Sequence, residues 1–133
     1  MTDRISQELA LLRSHYQEVE YFEEGQWVMI RNYLVPSELQ WNKEKVDVCF
    51  QIPTGYPGCP PYGFYVPSNL LFEDSPPKNN YNLNPPVRPP FEHTWGFFSW
   101  INDSTWRATA DLVSCSNLTN FVRTFADRLK QGA

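Results

Sequence analysis

Residues 52–66 read Ile-Pro-Thr-Gly-Tyr-Pro-Gly-Cys-Pro-Pro-Tyr-Gly-Phe-Tyr-Val. The four prolines in this stretch remove backbone donors and fix φ, so its middle part can join neither a helix nor a sheet. Apolar and polar side chains alternate over residues 46–52 before it, as they do in a half-buried strand. A short aromatic strand at residues 64–66 follows. The stretch therefore predicts a stiff turn between two strands.

The segments on either side of this turn predict a helix near each end of the chain. Residues 4–19 are predicted to be helical because apolar side chains recur at alternating four- and three-residue spacing. Residues 117–129 show the same pattern, with Ser116 or Asn117 as the N-cap. Residues 27–34 are predicted to form a strand. The two sets of apolar positions are Ile5, Leu9, Leu12, Tyr16 and Val19 in the first helix and Val28, Ile30 and Leu34 on the inward face of the strand.

The order of elements indicates an α+β fold, with an antiparallel meander of three or four strands and helices on one face. A length of 133 residues predicts one domain, residues 1–133, and 16 % aromatic residues supply much of its core. Residues 67–92 form a long connection, and seven of the twelve prolines lie between 67 and 90. This connection is either an extended wrap over the surface or a mobile insertion.

Composition excludes several classes of function. The net charge is −4, and the chain has no basic stripe, which argues against nucleic-acid binding. No apolar run is long enough to cross a membrane, and no export signal begins the chain, so we expect a cytoplasmic protein. The three cysteines lie at scattered positions that make no zinc pattern, and their odd number suits reduced thiols in a cytosol. We therefore expect neither a metal nor a cofactor.

The order of these features resembles the ubiquitin-conjugating (UBC) fold. The Tyr-Pro-x-x-Pro-Pro turn of that family is matched by residues 56–61, and the Trp that precedes its next helix is matched by Trp106. Within the superfamily, the chain is most similar to the bacterial branch called prokaryotic family E. The residues that carry this similarity are Pro53, Tyr56, Pro57, Pro60, Pro61, Phe64, Trp95, Gly96, Phe98, Ser99, Trp100, Trp106, Arg107, Asn117 and Leu118.

The resemblance implies a part in a bacterial ubiquitin-like pathway. It implies three kinds of partner, namely a ubiquitin-like protein, an activating-enzyme-like protein and a JAB-type peptidase. We expect the turn residues to support the fold rather than to bind a ligand. These turn residues are Tyr56, Pro57, Pro60 and Pro61.

The resemblance also shows where the chain departs from a conjugating enzyme. Such an enzyme needs a thiolate that accepts the carboxyl terminus of the ubiquitin-like protein, and a donor for the oxyanion. Its cysteine lies about eight residues before the Trp and follows a His-Pro-Asn triplet. Counting back from Trp106 leads to Phe98 or Ser99, and the chain has no such triplet. The usual nucleophile is therefore missing.

Other residues could carry the chemistry instead. Cys115 precedes the last helix, where backbone donors would lower the pKa of a thiol. The alternative is an ordinary loop residue. Cys49 is most simply a small strand residue, and Cys59 fills space within the turn. Ser99 lies near the empty slot and would need a base; His93 is the nearest candidate in sequence.

Three functions remain open from the sequence. The first is an adaptor-like or atypical UBC-fold protein that works with a ubiquitin-like protein. The second is an active conjugating enzyme with Cys115 or Ser99 as an unusual nucleophile. The third is a peptide-binding module that uses the Pro-rich segment and exposed aromatic side chains. A reaction with an activating enzyme and its ubiquitin-like partner would distinguish the first function from the second. Neighbouring genes that encode neither of these proteins would favour the third function.

Overall fold

The computed structural model describes residues 3–36, 39–56, 61–100 and 117–132. The described helices and strands, in chain order, are α1 (Asp3–His15), β1 (Val19–Phe22), β2 (Trp27–Leu34), β3 (Lys45–Gln51), β4 (Phe64–Pro67), β5 (Tyr81–Asn82), β6 (Trp95–Phe98), α2 (Leu118–Arg123) and α3 (Phe125–Lys130).

The strands form one antiparallel sheet in the order β1-β2-β3-β4-β6-β5. This confirms the α+β class with helices packed on an antiparallel sheet. The predicted number of three or four strands was wrong, because the described chain forms six. The additional strands are short and lie near the edges, where pairing with a neighbour decides the structure more than local pattern does.

The first helix is shorter than predicted. It ends at His15 rather than at residue 19, and Val19 begins β1 by pairing with Ile30 of β2. The predicted apolar stripe of this helix is confirmed as far as Leu12, because Ile5, Leu9 and Leu12 are buried. Beyond it, the strand pairing of Val19 overrides the helical spacing.

A bulge in β2 overturns the prediction that Leu34 points inward. The pairing of β2 with β3 shifts its register between Ile30 and Tyr33, and Asn32 has a φ of 58°. Because a bulge inserts one residue, the inward positions move from even to odd numbers. Tyr33 and Val35 are therefore buried, whereas Leu34 is 67 % exposed.

The predicted C-terminal helix exists, with an irregularity at Thr124 that divides it into α2 and α3. Asn117 is the N-cap, and its side chain accepts a hydrogen bond from the Asn120 N–H at 2.8 Å. The Thr124 hydroxyl donates to the Phe121 carbonyl at 2.6 Å and accepts from the Trp100 indole at 2.9 Å. Such back-bonding by threonine competes with the regular helix bonds.

The helices bury the inner face of the sheet. Side chains of α1, α2 and α3 join those of the sheet in one cluster, as the apolar stripes predicted. At its centre, the rings of Phe64 and Phe125 are stacked with centroids 4.0 Å apart. Phe50 and Phe121 pack against Phe125 at 6.0 and 5.0 Å. This four-ring cluster joins the sheet to the C-terminal helices.

The long connection lies against the rest of the fold in two places. It contributes the short strand β5, and its later part lies against the outer face of the sheet. The Phe91 ring contacts that of Phe22 at 6.5 Å, and the Phe91 carbonyl accepts from the Trp95 indole at 3.4 Å. It thereby helps to cover a second apolar cluster, which consists of Trp27, Met29, Cys49, Tyr65 and Trp95.

Candidate functional site

The residue that joins the parts of the fold around the turn is Glu8. It lies between Ile5 and Leu12 on the buried side of α1, and it is fully buried. Its carboxylate accepts hydrogen bonds from the Arg4 side chain, the Tyr56 hydroxyl and the Leu118 backbone N–H, each at 2.6 Å. A buried carboxylate is tolerated only when it is paired and hydrogen-bonded in this way. The Glu8 junction therefore ties α1, the turn and the start of α2 together.

Tyr56 supplies the link to the turn. Burial, followed by the hydrogen bond to Glu8, raises the pKa of the Tyr56 phenol far above its ordinary value of 10.0. The phenol is therefore a neutral donor at all ordinary pH values. Pro61 at the other end of the turn is buried, while Pro57, Cys59 and Pro60 fall at 57–60, outside the described residues. Tyr56 is thus bonded to Glu8 and Pro61 is buried, whereas the structural role of the turn as a whole stays a prediction.

Trp106 and Cys115 lie within residues 101–116, also outside the described residues. The positions on either side of this segment are well fixed. The Trp100 carbonyl accepts from the Gly63 N–H at 2.6 Å. Gly63 has a φ of 75°, and a Cβ there would overlap the Phe97 ring, so only glycine fits. On the far side, Asn117 caps α2 beside the Glu8 junction.

Phe98 and Ser99, the two positions at which a conjugating enzyme would carry its cysteine, show no activated group. Phe98 is fully buried in the inner core. Ser99 is half-buried, and its N–H donates to the Asn80 carbonyl at 2.7 Å. The Ser99 hydroxyl has no hydrogen-bond partner within the described part of the chain. A serine without a base is a weak nucleophile.

The structure does not bring His93 to Ser99. The two residues lie beyond opposite ends of β6, and four strand residues separate their ends by about 13 Å. His93 instead places Nε2 3.2 Å from the Asp47 Oδ2 and packs edge-on against Trp95. It adopts a φ of 102°, a region in which non-glycine residues are strained. His93 therefore holds the connection to the sheet.

The cysteine that lies within the described residues is Cys49. Cys49 is fully buried in the outer cluster, and burial, with a contribution from Asp47, raises the pKa of its thiol well above 9.0. This leaves it a neutral thiol, consistent with the small strand residue expected from sequence.

Sequence reasoning missed Glu8. The signal was a single acidic residue inside an apolar stripe, three residues after Ile5 and four before Leu12. Its partners could not be inferred, because Tyr56 and Leu118 are 48 and 110 residues away.

No group of three His, Cys, Asp or Glu side chains in ranges 3–36, 39–56, 61–100 and 117–132 is placed to hold a metal ion. None of the helices in these ranges has the length and hydrophobicity that a bilayer crossing requires.

The profile of prokaryotic E2 family E matches residues 5–123, which is most of the chain. No match was found among curated proteins or among solved structures. The six-stranded sheet with its N-terminal and C-terminal helices is that of a UBC-like protein. This chain belongs to prokaryotic E2 family E.

Proposed function

We propose that this protein is an adaptor-like or atypical UBC-fold component of a bacterial pathway for a ubiquitin-like protein. The family supports a place in such a pathway. The observation that favours the non-catalytic role is the missing nucleophile: Phe98 is buried, and Ser99 has no base among the described residues. Its partners would be the ubiquitin-like protein, its activating-enzyme-like protein and a JAB-type peptidase, in the cytoplasm.

The Glu8 junction supports the same role. A thiolate at Cys115 would need the donors and the positive end of the helix that follows it. The Leu118 N–H already donates to Glu8, and the Asn120 N–H donates to the Asn117 side chain. We therefore expect Cys115 to remain an ordinary thiol.

An active enzyme with an unusual nucleophile is the second candidate. It is favoured by the position of Cys115 two residues before the cap of α2, and for Ser99 by its partial exposure. The peptide-binding module finds less support, because Trp27, Tyr65 and Trp95 are buried in the outer cluster. Among the large described aromatic residues, Phe22 and Tyr62 are exposed.

A reconstituted reaction tests the proposal. The protein is mixed with its cognate activating enzyme and ubiquitin-like protein and with ATP, and the products are separated without reductant. Wild type, Cys115→Ser and Ser99→Ala are compared. We expect no covalent adduct, together with measurable non-covalent binding to one of the two partners.

Two outcomes would replace this proposal with the active enzyme. A reductant-sensitive adduct that is lost in Cys115→Ser identifies a thioester on that thiol. An adduct that resists reductant and is lost in Ser99→Ala identifies an oxyester. Absence of both adduct and binding would contradict a role with these partners.

A further inference from the structure

The outermost strand β1 leaves one edge of the sheet open in the part of the chain that the structure describes. β1 and β5 are the two end strands, but β5 has two residues whereas β1 has four. Every residue of β1, Val19–Phe22, is exposed or half-buried, so solvent reaches the strand along its whole length. An open strand of this kind can pair with a further strand. We call this feature the β1 edge.

The β1 edge carries backbone groups that have no partner. The Arg31 N–H donates to the Glu18 carbonyl at 3.0 Å, which makes these two residues a hydrogen-bonded pair just before β1. Because such pairs alternate along antiparallel strands, the next residue bonded to β2 is Glu20. Val19 and Tyr21 therefore direct their N–H and C=O groups away from β2. No hydrogen bond within the described residues uses these four groups.

Carboxylates outnumber cations around the β1 edge. The acidic side chains in or beside β1, against Arg31 and in the adjoining cavity of the outer face are Glu18, Glu20, Glu23, Glu24, Asp47 and Glu92. The groups there that can carry a positive charge are Arg31, Lys45, His15 and His93. Even with both imidazoles charged, six carboxylates face four cations. Lys45 also lies beyond the start of β1, because it pairs with the last residue of β2.

Arg31 does not neutralise this acidic surface. Its guanidinium lies 3.0 Å from the Glu20 carboxylate, 3.5 Å from that of Asp47 and 3.9 Å from that of Glu18, so one charge is shared among three. The side chains of Glu18 and Glu20 are 59 % and 48 % exposed, which leaves carboxylate oxygens open to a second cation. The two glutamates in the turn after β1 are exposed as well.

We propose that the β1 edge binds an extended basic segment of a partner protein by strand addition. The segment's backbone would pair with the outward N–H and C=O groups of Val19 and Tyr21, which provides affinity. Its side chains would alternate between the two faces of the sheet. On the outer face, basic side chains would lie beside Glu20. On the inner face, apolar side chains would extend the cluster against which Val19 and Tyr21 pack.

The charge of the β1 edge selects this occupant over a second copy of the chain. A second β1 would bring its own glutamates against the same carboxylates, and like charges on neighbouring strands destabilise their pairing. A basic segment meets the opposite charge, which also speeds its encounter with the protein.

The test uses the peptide acetyl-Lys-Val-Lys-Val-Lys-amide, which as a strand places lysines on one face and valines on the other. It is added to the nitrogen-15-labelled full chain. We expect saturable amide shifts in β1 and, at saturation, slower hydrogen exchange at Val19 and Tyr21, whose N–H groups become bonded. Glu20, already bonded to β2, should gain no protection. Saturable shifts on another surface, binding that leaves these two amides unprotected, or no shifts would overturn the proposal.

Two control peptides separate the contributions of backbone and charge. An analogue N-methylated at every residue keeps the side chains but lacks the N–H donors, so we expect its Kd to be about tenfold higher or more. The analogue acetyl-Glu-Val-Glu-Val-Glu-amide keeps the donors and reverses the charge, and it should not bind detectably. Binding of either analogue as tight as that of the basic peptide would overturn the proposal.

Variants of exposed residues identify the charges responsible without altering the core. Glu20→Gln, Glu24→Gln should raise the Kd of the basic peptide by about fivefold. The matched control, Glu73→Gln, Asp74→Asn, makes the same charge change in an exposed turn outside the sheet and should leave the Kd within about twofold. The dispersion of the NMR spectrum checks that each variant is folded. An equal loss in both variants would mean that only net charge matters and would overturn the proposal.

The competing occupant has its own readout. Analytical ultracentrifugation of the wild-type chain alone should show a monomer. A dimer in which the Val19 and Tyr21 amides are protected without peptide would show that a second copy fills the β1 edge, and would overturn the proposal. These experiments contain no activating enzyme and go beyond the proposed function, so neither result depends on the other.

Discussion

The two faces of the sheet are covered in different ways. Helices cover the inner face, where four phenylalanine rings pack around Phe125. An irregular segment covers part of the outer face, held by the Phe91 ring, the long Trp95 hydrogen bond of 3.4 Å and the His93 contact with Asp47. His93 is also strained at a φ of 102°. Many side-chain contacts hold the helices to the inner face, whereas a few single contacts hold the irregular segment to the outer face.

Burial alone therefore does not set the local stability of a segment. Both clusters exclude water, but a segment with few contacts opens with less free energy than the core does. Residues 83–94 should therefore exchange their amide hydrogens sooner than the inner strands. The following substitutions test this comparison.

Phe125→Ala should have the largest effect. Its ring touches those of Phe50, Phe64 and Phe121, so truncation removes packing and leaves a cavity at the centre of the core. We expect the free energy of unfolding to fall by about 3–5 kcal/mol, as measured by urea denaturation. A loss below about 1.5 kcal/mol would show that the core relaxes to fill the space.

Tyr56→Phe should have the next largest effect. It removes the hydroxyl that donates to Glu8 and leaves a buried carboxylate with fewer donors. We expect a loss of about 1–3 kcal/mol in the same measurement. The matched control is Tyr62→Phe at a residue that is 59 % exposed, which should change stability by less than about 0.5 kcal/mol. Equal effects of the two substitutions would contradict a supporting role for Tyr56.

Phe91→Ala, on the outer face, should lower the free energy of unfolding by a smaller amount. The ring is half-buried, so we expect a loss of about 1 kcal/mol in global stability. Hydrogen exchange over residues 83–94 should speed up more than exchange in the inner strands does. A uniform increase across the whole sheet would mean that the two covers open together.

Tyr81→Phe should have the smallest effect at neutral pH. The Tyr81 hydroxyl lies over Gly96, where a Cβ would overlap it, and it is buried without a hydrogen-bond partner in the described structure. Because its removal leaves no partner unpaired, we expect stability at pH 7 to stay equal or rise by up to about 1 kcal/mol. Urea denaturation of both proteins measures this, and a clear loss would reveal a partner for the hydroxyl.

Tyr81→Phe should also change how the stability of the protein depends on pH in the alkaline range. Burial raises the pKa of Tyr81 from 10.0 to about 12. The unfolded chain therefore loses this proton from about pH 10, while the folded protein keeps it until about pH 12. Ionisation of this phenol therefore leaves the free energy of unfolding unchanged below about pH 10 and lowers it as the pH rises towards 12. Tyr81→Phe should accordingly show a shallower alkaline decline than wild type, and identical slopes would contradict the raised pKa.

Local pattern was enough to predict some features and not others. The periodicity of Leu9 and Leu12 and the cap at Asn117 depend on neighbours in sequence, and the family resemblance also rested on local motifs. Val19 and Leu34 were misplaced because a strand partner and a bulge decide their positions. The Glu8 junction was missed because its partners come together only in the folded chain. The roles of Cys115 and Ser99 remain predictions.

The Glu8 junction also has a consequence for how the chain folds. Its bond to Leu118 spans 110 residues, and the Trp41 indole reaches the Leu129 carbonyl across 88. Contacts of such large sequence separation form slowly, because loop closure must come before any gain from packing. During synthesis, α1 and the first strands would leave the ribosome long before α2 and α3 can cover their apolar face. The emerging chain would therefore expose this face until synthesis passes residue 129, and its refolding should be slower than that of a helical bundle of equal length.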